Sequence, residues 1–501
     1  MEAYKKLVKI FNRQSRLSHV GAMLEWDEAV VMPIGSGEAR AEASAELDVV
    51  SHELFINSGV GDLLDKAKQE IAEFPDKDES INKWNKSNLE HMKTQWEHAV
   101  VIPSDLIEAQ SLACAECEQQ WRVQRPRNDW KGHLPLLKEV INLTRQEASI
   151  YAEMNGSTKY NAMLDMYEPE QTSEKLDREF GHLKKFLPFM IDEIIEKQKA
   201  EEIIRFDGIF HLEAQMGMNK AILTHMGFDF KHGRLDETTH PFCGGVPRDV
   251  RLTTNFNESN FIEGLYSSIH EVGHGSYEQC LPTEYSGQPV GNTLSLGIHE
   301  SQSLMYEMQI GRSMEFMEFL SPFLMEYFPN QKGFAPENLY KVQTRVTKDL
   351  IRINADEVTY PCHVLLRYEI EKDLINGDIE AEDIPELWDL KMMESLGVNT
   401  KGDYKDGCMQ DVHWVCGLWG YFPTYTLGAM NAAQLFFAMR KKHPDVLSLI
   451  EVGDFSIMRA WLGKQVWSKG SLLTIDELMT EATGETFNSE YFEQHLRERY
   501  L

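Results

Sequence analysis

Residues 260–274 read Asn-Phe-Ile-Glu-Gly-Leu-Tyr-Ser-Ser-Ile-His-Glu-Val-Gly-His. Asn260 suits the N-cap of a helix, and Glu263, three residues later, completes the pattern of a capping box. Apolar residues then recur at i, i+4 and i+7 and form one stripe, made of Leu265, Ile269 and Val272. The stretch therefore predicts an amphipathic helix that begins at Asn260 and contains the final five residues.

The two histidines of this helix, His270 and His274, are one turn apart and lie on the same face. Two imidazole nitrogens in this arrangement can bind one ion. Zinc accepts them together with a carboxylate and keeps a fourth position open for water. Glu271 follows the first histidine and is placed to accept a proton from that water. The pentapeptide 270–274 predicts a hydrolytic zinc site with Glu271 as the general base.

A third metal ligand is expected in residues 295–303, which open another helical stretch. Glu300 lies in this stretch, and the segment 282–289, with two prolines and a glycine, lets the second helix fold back toward the first. Two histidines and one glutamate are a common ligand set of catalytic zinc. We therefore expect one Zn2+ per chain, with Co2+ or Mn2+ as alternative ions because selectivity depends on geometry and supply.

One segment departs from the helical period. Residues 247–256 alternate with period two, after a turn signal at 244–247. One face then carries Val250, Leu252, Thr254 and Phe256, and the other carries Asp249, Arg251, Thr253 and Asn255. This pattern predicts a short β element beside the metal-binding helix.

Most of the remaining chain has helical periodicity, with long stretches at 39–54, 173–204 and 336–375 and a buried helix at 425–442. Pro361 is expected to kink the third stretch because proline removes one backbone donor. The fold class is therefore mainly α with a small β-sheet. Because no Pro/Gly/Ser-rich linker or internal repeat is present, we expect one large body with subdomains.

The chain is strongly acidic, with 50 Lys and Arg residues against 80 Asp and Glu residues and a net charge of -30. Such a field repels phosphate backbones and anionic lipids, which argues against nucleic acid or membranes as partners. The segment after Met1 has no apolar signal region, and no apolar run is long enough to span a bilayer. Seven scattered cysteines fit a reducing environment, so we expect a cytoplasmic protein.

Several further motifs accompany the zinc pentapeptide in a fixed order. They are Leu24-Glu25-Trp26-Asp27 with Met32-Pro33, His240-Pro241-Phe242, residues 249–253, His299-Glu300-Ser301-Gln302, residues 351–356 and Gly407-Cys408-Met409-Gln410-Asp411-Val412-His413-Trp414. Through them the chain resembles, nearly end to end, the M32 metallocarboxypeptidases. The resemblance implies a large, gluzincin-like helical peptidase fold with a deep groove. It further implies one domain over 1–501 with a helical N-terminal subdomain on one side of the groove, and a homodimer.

An enzyme that removes single residues from the free C-terminus of peptides must recognise a carboxylate. Arginine suits this task because its guanidinium binds a carboxylate through two parallel hydrogen bonds. Arg352 is the first candidate, with Asp356 one helical turn later to hold it by an i,i+4 pair. Arg251 is the second, on the polar face of the predicted strand with Asp249. If that strand is an edge strand, it is also suited to bind substrate backbone by strand addition.

The tetrahedral oxyanion needs a side-chain donor besides the metal ion. Candidates are Tyr425 and one of the histidines His240, His299 and His413. The resemblance also places Gln410, Asp411 and His413 at the substrate groove.

A partner must also orient the zinc histidines through their second nitrogens. Many related sites use an Asp four residues after the ligand glutamate, where this chain has Leu304. Asp356 and Asp411 are the alternatives that the sequence offers.

Three other readings compete with a carboxypeptidase. An endopeptidase or dipeptidase on the same scaffold would cleave C-terminally amidated peptides. A non-catalytic peptide-binding protein would usually have lost the base or a ligand, yet Glu271 and all three ligand candidates are present. A structural zinc site would be closed and rich in cysteine, and no cysteine here has suitable spacing.

Overall fold

The computed structural model describes residues 1–57, 59–73, 78–329 and 331–501. Helices dominate it, as the sequence predicted. In chain order they are α1 (Glu2–Val30), α2 (Gly37–Asn57), α3 (Val60–Glu73), α4 (Glu79–Val101), α5 (Ser104–Gln124), α6 (Trp130–Asn155), α7 (Lys159–Asp165), α8 (Ser173–Gln198), α9 (Leu212–His225), α10 (Phe261–Gln279), α11 (Leu296–Leu304), α12 (Met314–Tyr327), α13 (Pro336–Gln343), α14 (Tyr360–Asn376), α15 (Ile384–Leu396), α16 (Pro423–Lys442), α17 (Val446–Glu451), α18 (Ser456–Gln465), α19 (Ile475–Thr483) and α20 (Glu490–Tyr500). None of the helices in the described ranges combines the length and the apolar content that a membrane span requires.

The chain divides into two compact units, each assembled from three segments. The first unit contains Met1–Val100, Ile203–Gln343 and Asn431–Phe487, and the second contains Val101–Glu202, Thr344–Met430 and Asn488–Leu501. Because neither unit is one continuous segment, a single linker in the sequence could not separate the two units. The prediction of a helical N-terminal subdomain beside a groove stays a prediction.

A small sheet lies in the first unit. Its strands are β1 (Gly233–Glu237), β2 (Cys243–Val246) and β3 (Asp249–Thr254), in the order β1-β3-β2. β3 pairs in parallel with β1 and antiparallel with β2, so both of its edges are occupied. β3 is therefore not an edge strand, and the strand addition considered for an edge strand has no free edge to use.

The apolar face of β3 packs against α10, the helix that contains the predicted ligands His270 and His274. Val250 and Leu252 are fully buried, as predicted for the apolar face. Thr253, on the other face, is buried as well. Its hydroxyl is satisfied there, because it accepts from the backbone N–H of Phe242 and donates to the carbonyl of the same residue. A Cβ added at Gly275 of α10 would lie 2.9 Å from Leu252, so the helix and the sheet are in close contact.

The start of α10 agrees with the sequence in part. The side chain of Asn260 accepts a hydrogen bond from the backbone N–H of Ile262, which confirms the predicted N-cap. The capping box is wrong, because Glu263 accepts from the side-chain amide of Asn260 while the backbone N–H of Asn260 bonds to Asn257. The apolar stripe of this helix is fully buried in the core of the first unit, as predicted for Leu265, Ile269 and Val272.

The long helix expected at 336–375 is interrupted, and its two parts belong to different units. Between α13, which belongs to the first unit, and α14 lies a non-helical segment with one 3-10 turn, Arg352–Asn354. Pro361 occupies the first turn of α14, where a missing backbone N–H costs no helical hydrogen bond. The proline therefore begins a helix instead of kinking one.

Candidate metal centre

Three ligand atoms meet between α10 and α11 in the first unit. His270 and His274 stand one turn apart on α10, with ring centroids 4.9 Å apart. Oε2 of Glu300 on α11 lies 3.7 Å from Nε2 of His270 and 3.3 Å from Nε2 of His274. The ligand atoms of the three residues all lie within 4.8 Å of one another, and no other such group occurs in the described ranges.

This close approach of the two helices depends on Gly273. A Cβ at this position would lie 2.4 Å from the backbone oxygen of Gln302 and 2.5 Å from Cα of Ser303. On the side of α11, the hydroxyl of Ser295 accepts from the backbone N–H of Ile298 and fixes where the helix begins. The absence of a side chain at Gly273 thus lets α11 approach α10, so that Glu300 lies close to His270 and His274.

The first predicted ligand, His270, is oriented by a residue that the sequence analysis missed. Its Nδ1 donates to Oε2 of Glu307 at 2.9 Å, and the other oxygen of Glu307 accepts from Arg312, also at 2.9 Å. Glu307 lies on a π-helical turn, Met305–Ile310, that continues α11. The helical spacing of Glu300 and Glu307 was the available signal, since residues seven apart share a helix face.

The second ligand, His274, is contacted by another histidine. Its Nδ1 lies 2.5 Å from Nδ1 of His299, and Nε2 of His299 lies 3.0 Å from Oε1 of Glu278. Glu278 also escaped the sequence analysis, although it stands one turn after His274 on α10. The predicted orienting partners Asp356 and Asp411 are wrong, because Glu307 and His299 occupy those places.

Negative charge accumulates around the ligands. Burial alone would lower the pKa of His270, but Glu300, Glu307 and Glu271 outweigh it and raise that pKa to about 10. Burial alone would raise the pKa of Glu300, yet the nearby histidines, His270 first, lower it to about 2. A pocket that holds a proton this firmly on an imidazole favours a cation in general. The donor set, two imidazoles and one carboxylate, suits zinc.

Glu271 lies next to these ligands and is only 6% exposed. Burial raises its pKa to about 7, with Glu300 adding to the effect and His270 opposing it. A carboxylate whose pKa is near neutral can both accept and return a proton at physiological pH.

Arg251 and Asp249, two of the predicted substrate residues, form a pair on β3. Nε and Nη2 of Arg251 donate to the two oxygens of Asp249 at 2.8 and 2.9 Å. The guanidinium also stacks over Trp26 of α1, 4.6 Å from the ring centroid. His240, a further candidate, is exposed on the loop before β2, and no hydrogen bond of its side chain occurs within the described residues.

The second unit brings together Arg352 and Asp411. Nε and Nη2 of Arg352 donate to Oδ1 of Asp411 at 3.0 and 2.9 Å, and Nη1 donates to the hydroxyl of Tyr360 at 2.6 Å. Arg367 donates to the other oxygen of Asp411. Burial alone would raise the pKa of Asp411, but the two arginines hold it well below its usual range.

The predicted pair of Arg352 with Asp356 is wrong. These residues do not share a helix, and Asp356 instead accepts hydrogen bonds from the backbone N–H groups of Thr347, Val358 and Thr359. It organises the turn before α14 and has no part in holding the guanidinium.

Three other predicted residues lie near Arg352. Gln410 accepts from the backbone N–H of Arg352 and donates to two backbone carbonyls, so its amide supports the loop. Nε2 of His413 is 2.9 Å from the hydroxyl of Tyr425, whose ring faces the guanidinium at 5.1 Å. Burial, with help from Arg352, lowers the pKa of His413 to about 3, so its imidazole is neutral at physiological pH.

Comparison with known proteins extends over the whole chain. The family model described as carboxypeptidase Taq (M32) metallopeptidase matches residues 6–500. Thermostable carboxypeptidase 1 of Thermus thermophilus is 35% identical over 99% of this chain and 98% of its own length. The structure of Trypanosoma cruzi metallocarboxypeptidase 1 has a TM-score of 0.97 and 42% identity, covering 100% of this chain and 99% of the other. That of a Pyrococcus furiosus carboxypeptidase has a TM-score of 0.94 and 32% identity, with the same coverage.

Proposed function

The chain belongs to the M32 family of metallocarboxypeptidases, and from that premise we propose that it removes single amino acids from the free C-terminus of peptides at one zinc ion held by His270, His274 and Glu300. The observation that carries the proposal is the meeting of two imidazole nitrogens and one carboxylate oxygen within 4.8 Å. The endopeptidase alternative loses support with the family assignment. The non-catalytic alternative is disfavoured because the base lies beside an intact ligand set.

A bound zinc ion would polarise the scissile carbonyl and acidify the attacking water. The chain supplies the remaining chemistry. Glu271 accepts the proton of the attacking water and returns it to the nitrogen of the leaving amino acid, steps that general acid–base catalysis accelerates by roughly 10²–10⁴.

We assign the oxyanion donor to Tyr425, His413 or His240. His299 is removed from that set and from the substrate-binding set, because its two ring nitrogens are engaged by His274 and Glu278. We infer that His299 instead supports the proposed ligand His274, which it contacts through Nδ1.

Arg352 is our first candidate for the carboxylate of the substrate, and Arg251 is the second. Both guanidiniums are held rigidly by an aspartate, Asp411 and Asp249 respectively. An anchored guanidinium loses little conformational freedom on binding, which favours a short and well-oriented contact. We retain Gln410 as a residue that positions the backbone of Arg352.

Two further properties belong to the proposal. All seven cysteines are free thiols, which supports a reducing, cytoplasmic location. A homodimer is proposed from the family resemblance, and sedimentation velocity of the purified chain tests it.

The function is tested with Glu271→Gln. The variant leaves the three ligands in place, so we expect one zinc ion per chain by elemental analysis and a loss of nearly all peptide turnover. His274→Ala is the matched variant, because it should lose metal and turnover together. Activity of Glu271→Gln within a few-fold of the wild type would contradict the assignment of the base.

A further inference from the structure

The geometry behind His274 points to Glu278 as a positioning residue, which fixes His274 as a metal ligand by acting through His299. This inference rests on the proposed function, since it concerns the same metal centre. It adds a residue and a role that none of the predicted site residues covers.

Glu278 decides the direction of the first hydrogen bond. An ionised carboxylate only accepts hydrogen bonds. Its Oε1 lies 3.0 Å from Nε2 of His299, so that nitrogen carries the proton and donates. In a neutral imidazole the other nitrogen is then an acceptor. Glu278 therefore leaves Nδ1 of His299 without a proton.

The proton on His299 also decides the direction of the hydrogen bond between the two histidines. Nδ1 of His299 lies 2.5 Å from Nδ1 of His274, and one of the two atoms must donate. Since Nδ1 of His299 is the acceptor, His274 donates from its own Nδ1. The lone pair of neutral His274 is then on Nε2, the atom 3.3 Å from Oε2 of Glu300 and the one that faces the metal site.

Without Glu278 the opposite arrangement becomes available. His299 can then carry its proton on Nδ1 and donate to His274, whose proton moves to Nε2. In that tautomer His274 presents an N–H to the metal site and cannot bind a cation. Glu278 thus excludes the pair of tautomers in which His299 donates to His274 and His274 cannot bind the metal ion.

The position of Glu278 suits this role and allows the residue to be substituted. It stands one turn after His274 on α10, so the two side chains share a face. Its side chain is 24% exposed, and it lines a cavity of about 770 Å³ within the first unit. A smaller side chain at this position therefore leaves no sealed void in the core, which makes substitution informative.

The test compares Glu278→Ala with Glu278→Gln in the full chain. Each protein is stripped of metal, and its zinc dissociation constant is measured by competition with a chromophoric chelator. Loss of an outer partner of a metal histidine typically costs 10–100-fold in affinity, and we expect about that loss for Glu278→Ala. The glutamine variant can still accept from Nε2 of His299 through its amide oxygen, so we expect it to restore most of the affinity.

Glu263→Ala is the control, because it removes a carboxylate from the same helix at a position whose side-chain contact is with Asn260. We expect wild-type zinc affinity in this variant. The melting temperature of each metal-free protein is the second readout. A positioning role predicts that Glu278→Ala changes the zinc-induced rise in melting temperature while the metal-free value stays near that of the wild type.

Two results would overturn the inference: zinc affinity of Glu278→Ala within two-fold of the wild type, or an equal loss in Glu263→Ala. If Glu278→Ala does not fold, the test uses Glu278→Gln, whose amide oxygen should preserve the hydrogen bond from His299. A zinc affinity of Glu278→Gln that is ten-fold or more below that of the control Glu263→Ala would then also overturn the inference. These results leave the proposed function standing as long as the wild type binds one zinc ion and trims peptides. A wild type that does neither removes the function itself.

Discussion

Glu307 accepts a hydrogen bond from Nδ1 of His270 at 2.9 Å and is itself held by Arg312. A carboxylate at this position fixes the tautomer of the histidine with its proton on Nδ1, so that Nε2 would be free to bind the proposed metal ion. The π-helical turn Met305–Ile310 carries Glu307, whereas Leu304 occupies the position where many related sites have their aspartate.

Removing this support should weaken metal binding. We expect Glu307→Ala to raise the zinc dissociation constant by about 10–100-fold, as measured by chelator competition. The variant should also melt at a lower temperature, because it removes the carboxylate that pairs with the guanidinium of Arg312. Glu318→Ala, an exposed glutamate on α12, is the control for the change of charge. Equal affinities in the two variants would refute the role of Glu307.

Gly273 offers a test of the contact between the two metal-binding helices. Gly273→Ala should push α11 and Glu300 away from α10, because the new Cβ would overlap the backbone of Gln302 and Ser303. Overpacking of this kind costs about 1–3 kcal/mol, and we expect a lower melting temperature together with weaker zinc binding.

Gly463→Ala is the matched control in α18. There the added Cβ would meet Trp467 at 3.5 Å, an ordinary contact. Alanine is a better helix former than glycine by about 1 kcal/mol, so this variant should be as stable as the wild type or more stable. Normal zinc affinity in Gly273→Ala would show that the close approach is not needed for the site.

The second unit contains a carboxyl group whose protonation should be visible in stability. Glu371 is fully buried and accepts from Tyr160 and Trp414, and burial raises its pKa to about 8. The folded protein therefore holds a proton here that the unfolded chain, in which the pKa of a glutamate has its ordinary value of 4.5, releases above that pH. Its stabilising contribution is complete below that value and is lost as the pH rises through about 8.

Glu371→Gln should remove this dependence, since an amide resembles the protonated carboxyl group. Relative to the wild type, the variant should gain up to roughly 1.4 kcal/mol per pH unit between pH 5 and 8. Urea unfolding of both proteins at a series of pH values measures the difference. A difference that does not change with pH would mean that Glu371 is already ionised in the folded protein.

Local patterns were sufficient to predict α10 and its cap at Asn260, which the structure confirms. The i,i+4 spacing of the two histidines also depends only on nearby residues, and the ligand atoms of His270, His274 and Glu300 lie within 4.8 Å of one another. The family motifs identified the M32 membership, and the fold class was confirmed with it.

The errors concern interactions between residues distant in sequence. Arg352 was paired with Asp356 on the assumption of a continuous helix, but tertiary structure broke that helix and supplied Asp411. The sequence also left open whether β3 is an edge strand, because the alternation of its side chains does not show how many neighbours a strand has. The support of His274 by His299 was likewise unpredictable, since hydrogen bonds between helices leave no period in the sequence.

Carboxylate recognition gives a prediction about substrates. If Arg352 binds the C-terminal carboxylate, Arg352→Ala should lower kcat/KM on free-acid peptides by about one to two orders of magnitude, the equivalent of a charge-assisted hydrogen bond. The loss should be much smaller on the matching C-terminal amides, which are expected to be poor substrates of the wild type.

Arg251→Ala is the comparison, because Arg251 is anchored in a similar way by Asp249. A selective loss on free acids in Arg251→Ala alone would move the recognition of the carboxylate to β3. Equal losses on acids and amides in Arg352→Ala would indicate that its pair with Asp411 serves the structure of the second unit.

The central claim is that the metal site removes residues one at a time from a free C-terminus. It is tested most directly by mass spectrometry of a peptide digest over time, with each peptide present as the free acid and as the amide. We predict a ladder of products shortened stepwise from the C-terminus of the acids, which disappears when zinc is removed by a chelator and returns when zinc is restored. Internal cleavage, equal cleavage of the amides, or a ladder that persists in the metal-free protein would contradict the account.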